Sequence, residues 1–261
     1  MARYQIIIAY DGTGFKGFQR QAKARTVQAV LEAALRKIGW QGWSILAAGR
    51  TDTGVHASGQ VAVFDLEWEH GTQALQAALN ANLPDHVSVR QVCPLDATFH
   101  PRFDALARRY EYRVLCVETR DPLRERYAWR VWPAIEPEVL QAASCSLPGT
   151  HDFAAFGTPP HTAGSTIRSV YQATWRPGDR EIVFEITANA FLYRMVRRVV
   201  YVLVAVAQGR LAAEQVAGSL VERKLEAVAG LAPPHGLSLV EVIYRPEILQ
   251  ENLESSGNRR R

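Results

Sequence analysis

The chain is poor in cysteine and lysine, and it has no long hydrophobic run. Its three cysteines, Cys93, Cys116 and Cys145, stand far apart in 261 residues and form no Cys-x-x-Cys pair. That argues against a disulfide framework and a zinc ribbon, and leaves buried free thiols as the expectation. The seven histidines include no pair at i, i+3 or i, i+4, so no metal site is expected. The longest apolar run, Val199 to Ala207, has nine residues. A membrane span needs about 18 or more, so none is expected. Met1-Ala2-Arg3-Tyr4 runs straight into an apolar stretch without the pattern of a signal peptide, which predicts a cytoplasmic protein.

What is present is a globular composition, 48% hydrophobic and 21% charged, enough to build a core and too apolar for global disorder. The length allows one large domain or two small ones. Lys16, Lys23, Lys37 and Lys224 are the only lysines among 30 basic residues, and the net charge is +4. The excess is small for the length and only hints at an anionic partner. Arginine grips phosphate bidentately and stacks on bases. GC-rich codon usage or a thermophilic source would give the same bias.

Periodicity organises the chain. Residues 3–10 are β-branched and apolar, and Asp11-Gly12-Thr13-Gly14 breaks them. Thr26 is placed to cap a helix in which Val27, Val30, Leu31, Ala34, Leu35 and Ile38 share a face, with Gly39 at its stop. Residues 43–49 and 59–66 read as strands, Thr72 opens a helix over about 72–81, and 86–92 alternate as a strand. The order is β-α-β-β-α-β. It returns in the second half: a strand from Arg109 to Val117, a helix from Pro137 to Leu147, and strands Ile167 to Trp175 and Glu181 to Thr187 about a Pro177-Gly178-Asp179 turn. A long helix from Phe191 to near Gly209 and a strand from Leu239 to Tyr244 complete it. Two such units predict an α+β protein of two ferredoxin-like halves with antiparallel sheets, 1–105 and 106–247. The polar stretch 248–261, ending Arg259-Arg260-Arg261, reads as a disordered basic tail.

One connection is longer than the two to five residues usual for a hairpin. It runs Ala48-Gly49-Arg50-Thr51-Asp52-Thr53-Gly54-Val55-His56-Ala57-Ser58-Gly59-Gln60. Arg50 and Asp52, two apart, face one side of an extended chain and can pair. An aspartate that orders a turn beside a surface arginine fits the same spacing.

Gly49-Arg50-Thr51-Asp52-Thr53-Gly54-Val55-His56-Ala57 resembles the signature of the TruA family of tRNA pseudouridine synthases, G-R-T-D-x-G-V-H-A. Further segments resemble the family in the same order. They are Tyr10-Asp11-Gly12 to Gln19-Arg20-Gln21, Asn80-Ala81-Asn82-Leu83-Pro84, Phe99-His100-Pro101-Arg102-Phe103, Arg108-Arg109-Tyr110-Glu111-Tyr112, Gly149-Thr150-His151-Asp152-Phe153, Asn189 to Arg197, and Ala232-Pro233-Pro234-His235-Gly236-Leu237. The resemblance covers about residues 3–245. Phe18 stands where tryptophan is common, Pro101 where alanine is usual, and Tyr201 where the family often has glycine.

The resemblance implies an isomerase that turns uridine into pseudouridine at positions 38, 39 and 40 of the tRNA anticodon stem-loop, with the RNA held in a cleft around which the two sheets join. The N1–C1′ bond breaks, the uracil turns, C5 joins C1′ and the C5 proton leaves. No redox step occurs and no outside atom enters, so no cofactor or metal is expected. The family pattern makes Asp52 the nucleophile, either adding to C1′ or taking a C2′ proton. It makes Tyr110 the ring that stacks on uracil, and sets Arg197 against the aspartate. Arg50, beside that nucleophile, is expected to fill the space of a flipped base or hold a displaced phosphate, or else to form a plain salt bridge to Asp52. Arg20, Arg102, Arg108, Arg109 and the stretch Arg120, Arg124, Arg126, Arg130 are further candidate RNA contacts. The resemblance also implies a homodimer.

Two other classes compete. A non-catalytic RNA-recognition module would carry an R-G-F-G-F-V-type strand, which Gly59-Gln60-Val61-Ala62-Val63-Phe64 echoes poorly. A nucleosidase would use one carboxylate on a free nucleoside and would need no arginine-rich surface.

Overall fold

Alternation in Ala2–Tyr10 makes strand β1, which buries Tyr4, Ile6, Ile8 and Tyr10. The computed structural model describes residues 1–159, 161, 164–178, 180–225 and 229–245. The expected tail and Asp179 of the expected hairpin turn lie outside these. The chain folds as two units, Met1–Leu106 with the residues from Leu239, and Ala107–Ser238.

In the first unit, helix α1 (Val27–Lys37) starts where Thr26 accepts a hydrogen bond from the Ala29 N–H at 3.4 Å, satisfying one of the unpaired donors of the first turn. It buries Val27, Leu31, Ala34 and Leu35. Gly39 takes φ +97°, a left-handed conformation that suits glycine after a helix end. Strands β2 (Leu46–Ala47) and β3 (His56–Leu66), helix α2 (Gly71–Asn82) and strand β4 (Val87–Leu95) follow. β1 lies antiparallel between β3 and β4, with Ile6 opposite Ala62 and Val92, and β2 pairs the far side of β3. This is the ferredoxin-like β-α-β-β-α-β arrangement.

The second unit holds β5 (Ala107–Leu115), β6 (Trp129–Arg130), α3 (Pro137–Ser144), β7 (Gly149–Asp152), β8 (Ile167–Pro177), β9 (Glu181–Ala188), α4 (Met195–Ala207) and α5 (Glu214–Glu222). Its sheet runs β5-β9-β8-β7, antiparallel throughout, with β6 parallel on β5. The core is α4, where Met195, Val196, Val199, Val200, Val202 and Leu203 are all buried. Tyr201, on the same helix, stacks on Trp129 at 6.1 Å and 9°. A Cβ at Gly230 would overlap the Tyr201 ring, so a glycine opposite makes room for the tyrosine.

The elements differ from expectation in four places. The strand foreseen over 43–49 shrinks to two residues, because the Ile45 N–H donates to the Glu32 carboxylate at 3.3 Å instead of to a neighbouring strand. The helix foreseen from Phe191 begins at Met195, because Arg194 takes φ 64° and breaks the turn before it. α5 and the short strands β6 and β7 have no counterpart in the expected order. The last strand, β10 (Leu237–Ile243), lies beside β3 in the first unit, whereas the division at 106–247 puts it in the second half. Gly59 permits this approach: a Cβ there would overlap the Val240 carbonyl.

Candidate active site

The loop between β2 and β3 carries Arg50 and Asp52, and it is braced from beneath. The Gln60 side chain donates to the Gly49 carbonyl at 3.1 Å. The hydroxyls of Tyr10 and Thr51 meet at 2.8 Å, and both residues are buried. The Phe18 N–H donates to the Thr51 carbonyl at 3.0 Å, and the Gly54 N–H to the Phe15 carbonyl at 3.4 Å. Within the loop the Val55 N–H donates to the Asp52 carbonyl at 3.1 Å, closing a turn, and Gly54 takes φ +77°.

The brace comes from residues 10–18, whose glycines permit contact. Gly17, at φ +88°, leaves no room for a side chain: a Cβ would stand 2.8 Å from the Thr51 carbonyl oxygen. At Gly12 a Cβ would overlap the Val55 carbonyl. The Gly12 N–H donates to Nδ1 of His56 at 3.0 Å, and the same nitrogen is 3.2 Å from an Asp11 carboxylate oxygen. Asp52 is half-buried and Arg50 exposed. Burial pushes the Tyr10 hydroxyl up to about 12, against the opposing hydrogen bonds with Thr51 and Gln60.

The second unit carries Tyr110 and Arg197. Tyr110, on β5 opposite Ile186, is 9% exposed, and its ring meets Phe191 edge-on at 5.1 Å and 83°. Arg197, on α4, donates through Nε to the Ala232 carbonyl at 2.7 Å, while the Ala232 N–H donates to the Arg197 carbonyl at 3.2 Å. This two-way bond seats 232–236 on the helix. Tyr112 joins it, donating to the Pro233 carbonyl at 2.8 Å; its hydroxyl is pushed well up by burial, which the Arg197 charge opposes. Burial also pushes His235 down; the Ala128 backbone and Glu125 oppose this, and Arg197 adds to it.

The candidate RNA contacts have varied surroundings. Arg20 bonds the fully buried Glu32 at 2.7 Å and lies 5.4 Å from the Trp43 ring centre. Arg108 donates to the Asn189 carbonyl at 2.8 Å. Arg109 is half-buried opposite Thr187, and Arg102 is exposed. Arg120 and Arg130 both approach Glu125, at 3.0 and 3.7 Å, and Arg124 approaches Asp121 at 3.8 Å. Arg126 lies 5.7 Å from the Tyr127 ring centre. Among the described residues no group of His, Cys, Asp or Glu could hold a metal ion, and no helix is long and apolar enough to cross a membrane.

Residue-by-residue reading misses Tyr10, Gln60 and Glu32 as parts of this architecture. Their partners are 41, 11 and 12 positions away, beyond any helical or strand period. The only signal for Tyr10 is its place at the head of the matched segment Tyr10 to Gln21.

The chain matches a family model described as tRNA pseudouridine synthase over residues 6–104 and 143–245. It is 41% identical over 240 residues to tRNA pseudouridine synthase A of Halalkalibacterium halodurans, covering 91% of this chain and 90% of that protein. It is 38% identical to the protein of the same name from Lactiplantibacillus plantarum, over 96% of this chain and 98% of the other. Among solved structures it is similar to a Cbf5-Nop10-Gar1 complex, with 12% identity and a TM-score of 0.35 over 90% of this chain and 48% of that one.

Proposed function

The chain belongs to the tRNA pseudouridine synthase family, and on that premise we propose that it isomerises uridine at positions 38, 39 and 40 of the tRNA anticodon stem-loop, with Asp52 as the nucleophile. Breaking the N1–C1′ bond builds positive charge at C1′. A carboxylate meets that charge by adding to C1′, as in retaining glycosidases, or by taking a proton from C2′. Tyr110 stacks on the uracil, and its hydroxyl relays the C5 proton. Arg197 supports the carboxylate charge. Arg50 occupies the space left by the flipped nucleotide or holds its phosphate. The tRNA is bound by a homodimer. The reaction returns every atom to the product except the exchanged C5 proton, so it requires no cofactor.

The observation that carries this reading is Asp52 itself: a half-buried carboxylate in a loop whose neighbours on both sides are tied by hydrogen bonds to β1, β3 and residues 15–18.

Asp52→Asn tests it. Asparagine keeps the size of aspartate and loses the charge, so the chemical step falls by several orders of magnitude in single-turnover assays at saturating enzyme, while tRNA affinity is kept or improved. A rate within about tenfold of wild type, roughly 1.4 kcal/mol, would make Asp52 a loop-ordering residue only. Tritium release from C5-labelled tRNA separates the other classes: a binding module releases none, and a nucleosidase yields free uracil.

A further inference from the structure

Asp52 lies between Gly49 and Gly54, in a loop whose composition alone would leave it mobile. A reacting carboxylate cannot be left so. Misplacement by about 1 Å costs on the order of a hundredfold in rate. Most of the ties that order this loop are backbone hydrogen bonds, from Phe18, Gly54 and Val55. One is made between two side chains: the hydroxyls of Tyr10 and Thr51, 2.8 Å apart.

We propose that Tyr10 is a positioning residue for Asp52, acting through its hydrogen bond to the Thr51 hydroxyl. The inference rests on the reading of Asp52 as the reacting group. It goes beyond that reading by assigning a role to a residue on β1, outside the loop that carries Asp52.

Five observations carry it. Tyr10 is 4% and Thr51 6% exposed, so water does not compete for the bond, and a hydroxyl left alone there would be unsatisfied. Thr51 is the residue immediately before Asp52, and its carbonyl is held as well, by the Phe18 N–H at 3.0 Å. Its position is thus defined from the side chain and from the backbone. The pairing of β1 with β3 shifts register at this end: Ile8 faces Gln60, but Tyr10 faces Ala57. β3 therefore carries an extra residue directly after the loop, and a bulge of this kind re-aims side chains beside functional sites. Gln60, on the same stretch, ties the other end of the loop by donating to the Gly49 carbonyl. Burial keeps the Tyr10 hydroxyl protonated, at about 12, so the bond is a neutral one throughout the working range.

The test is a cycle of Tyr10→Phe, Thr51→Val and the double variant, with Thr51→Ser as the conservative replacement. Single-turnover rates and dissociation constants are measured on an unmodified tRNA transcript. Each single variant should slow the chemical step by about 10- to 100-fold and leave the dissociation constant within about twofold. The double variant should be no slower than the slower single, because both substitutions remove the same bond. Thr51→Ser, which restores the hydroxyl, should return to within about threefold of wild type. A wild-type rate for Tyr10→Phe overturns the proposal. So do losses that multiply in the double variant, or affinity that falls in step with rate, which is what general loosening of the loop produces. Asp52→Asn in the same assay separates the two readings. If it is inactive and Tyr10→Phe runs at the wild-type rate, the positioning role alone is wrong; if it turns over normally, the assignment of Asp52 is wrong.

Discussion

Tyr110 combines a ring and a hydroxyl whose roles are separable by substitution. The ring is fixed by its edge-on contact with Phe191 and by burial on β5, neither of which needs the oxygen. Tyr110→Phe should therefore bind tRNA within about twofold of wild type. If the hydroxyl relays the C5 proton, turnover should fall by about 100-fold, the lower end of what a positioned proton carrier contributes. Tritium release under single-turnover conditions measures this directly, and an undiminished rate assigns the residue to stacking alone. At this scale the sequence was legible where the residues lie together: 49–57 is one continuous segment, and its resemblance to a family pattern singles out Asp52. It was not legible where a contact spans the fold. Arg20 reads as a surface cation because its partner Glu32 sits 12 residues away on a helix face, and nothing local announces that this glutamate is buried with Gln28 and the Ile45 N–H already on it.

Among elements, period predicts helices best. α1 falls where the apolar face and Thr26 put it, since both signals are written within one turn of the residues they order. Strands depend on partners. Residues 43–49 have strand composition, yet only Leu46–Ala47 pairs, because a side chain from α1 takes the Ile45 N–H. β10 is apolar enough to be recognised, but the unit it joins depends on a glycine in another strand. That dependence is testable. In Gly59→Ala the new methyl meets the Val240 carbonyl, backbone that no rotamer change can move. The strands must separate, at a cost of about 1–3 kcal/mol, and the midpoint of thermal unfolding should drop by roughly 3–10 °C. Circular dichroism melts check it; an unchanged midpoint would mean that β10 shifts outward without loss.

Across the whole molecule, 30 basic residues against 26 acidic ones overstate the charge available to RNA. Arg3, Arg20, Arg113, Arg120, Arg124, Arg130, Arg176 and Arg223 all hold carboxylates within 4.0 Å. The Arg120 guanidinium, by its hydrogen bonds, in turn keeps the Glu125 carboxyl below its usual range. A guanidinium already facing a carboxylate brings little net charge to a phosphate and displaces few counterions. The salt dependence of tRNA binding counts those that remain, since each phosphate contact contributes about 0.7–0.9 to the slope of log affinity against log salt. With about four to six contacts the slope should lie near −3 to −5. Arg50 is exposed and holds no ion pair among the described residues, so Arg50→Ala should make the slope shallower by roughly 0.7–0.9. Arg120→Ala, which removes a charge already matched by Glu125, should leave it unchanged. Filter-binding or fluorescence titrations of full-length tRNA at four or five salt concentrations resolve the difference. An affinity flat across that range would remove the electrostatic argument for RNA binding. Equal changes for Arg50→Ala and Arg120→Ala would show that the Glu125 pair opens when tRNA arrives.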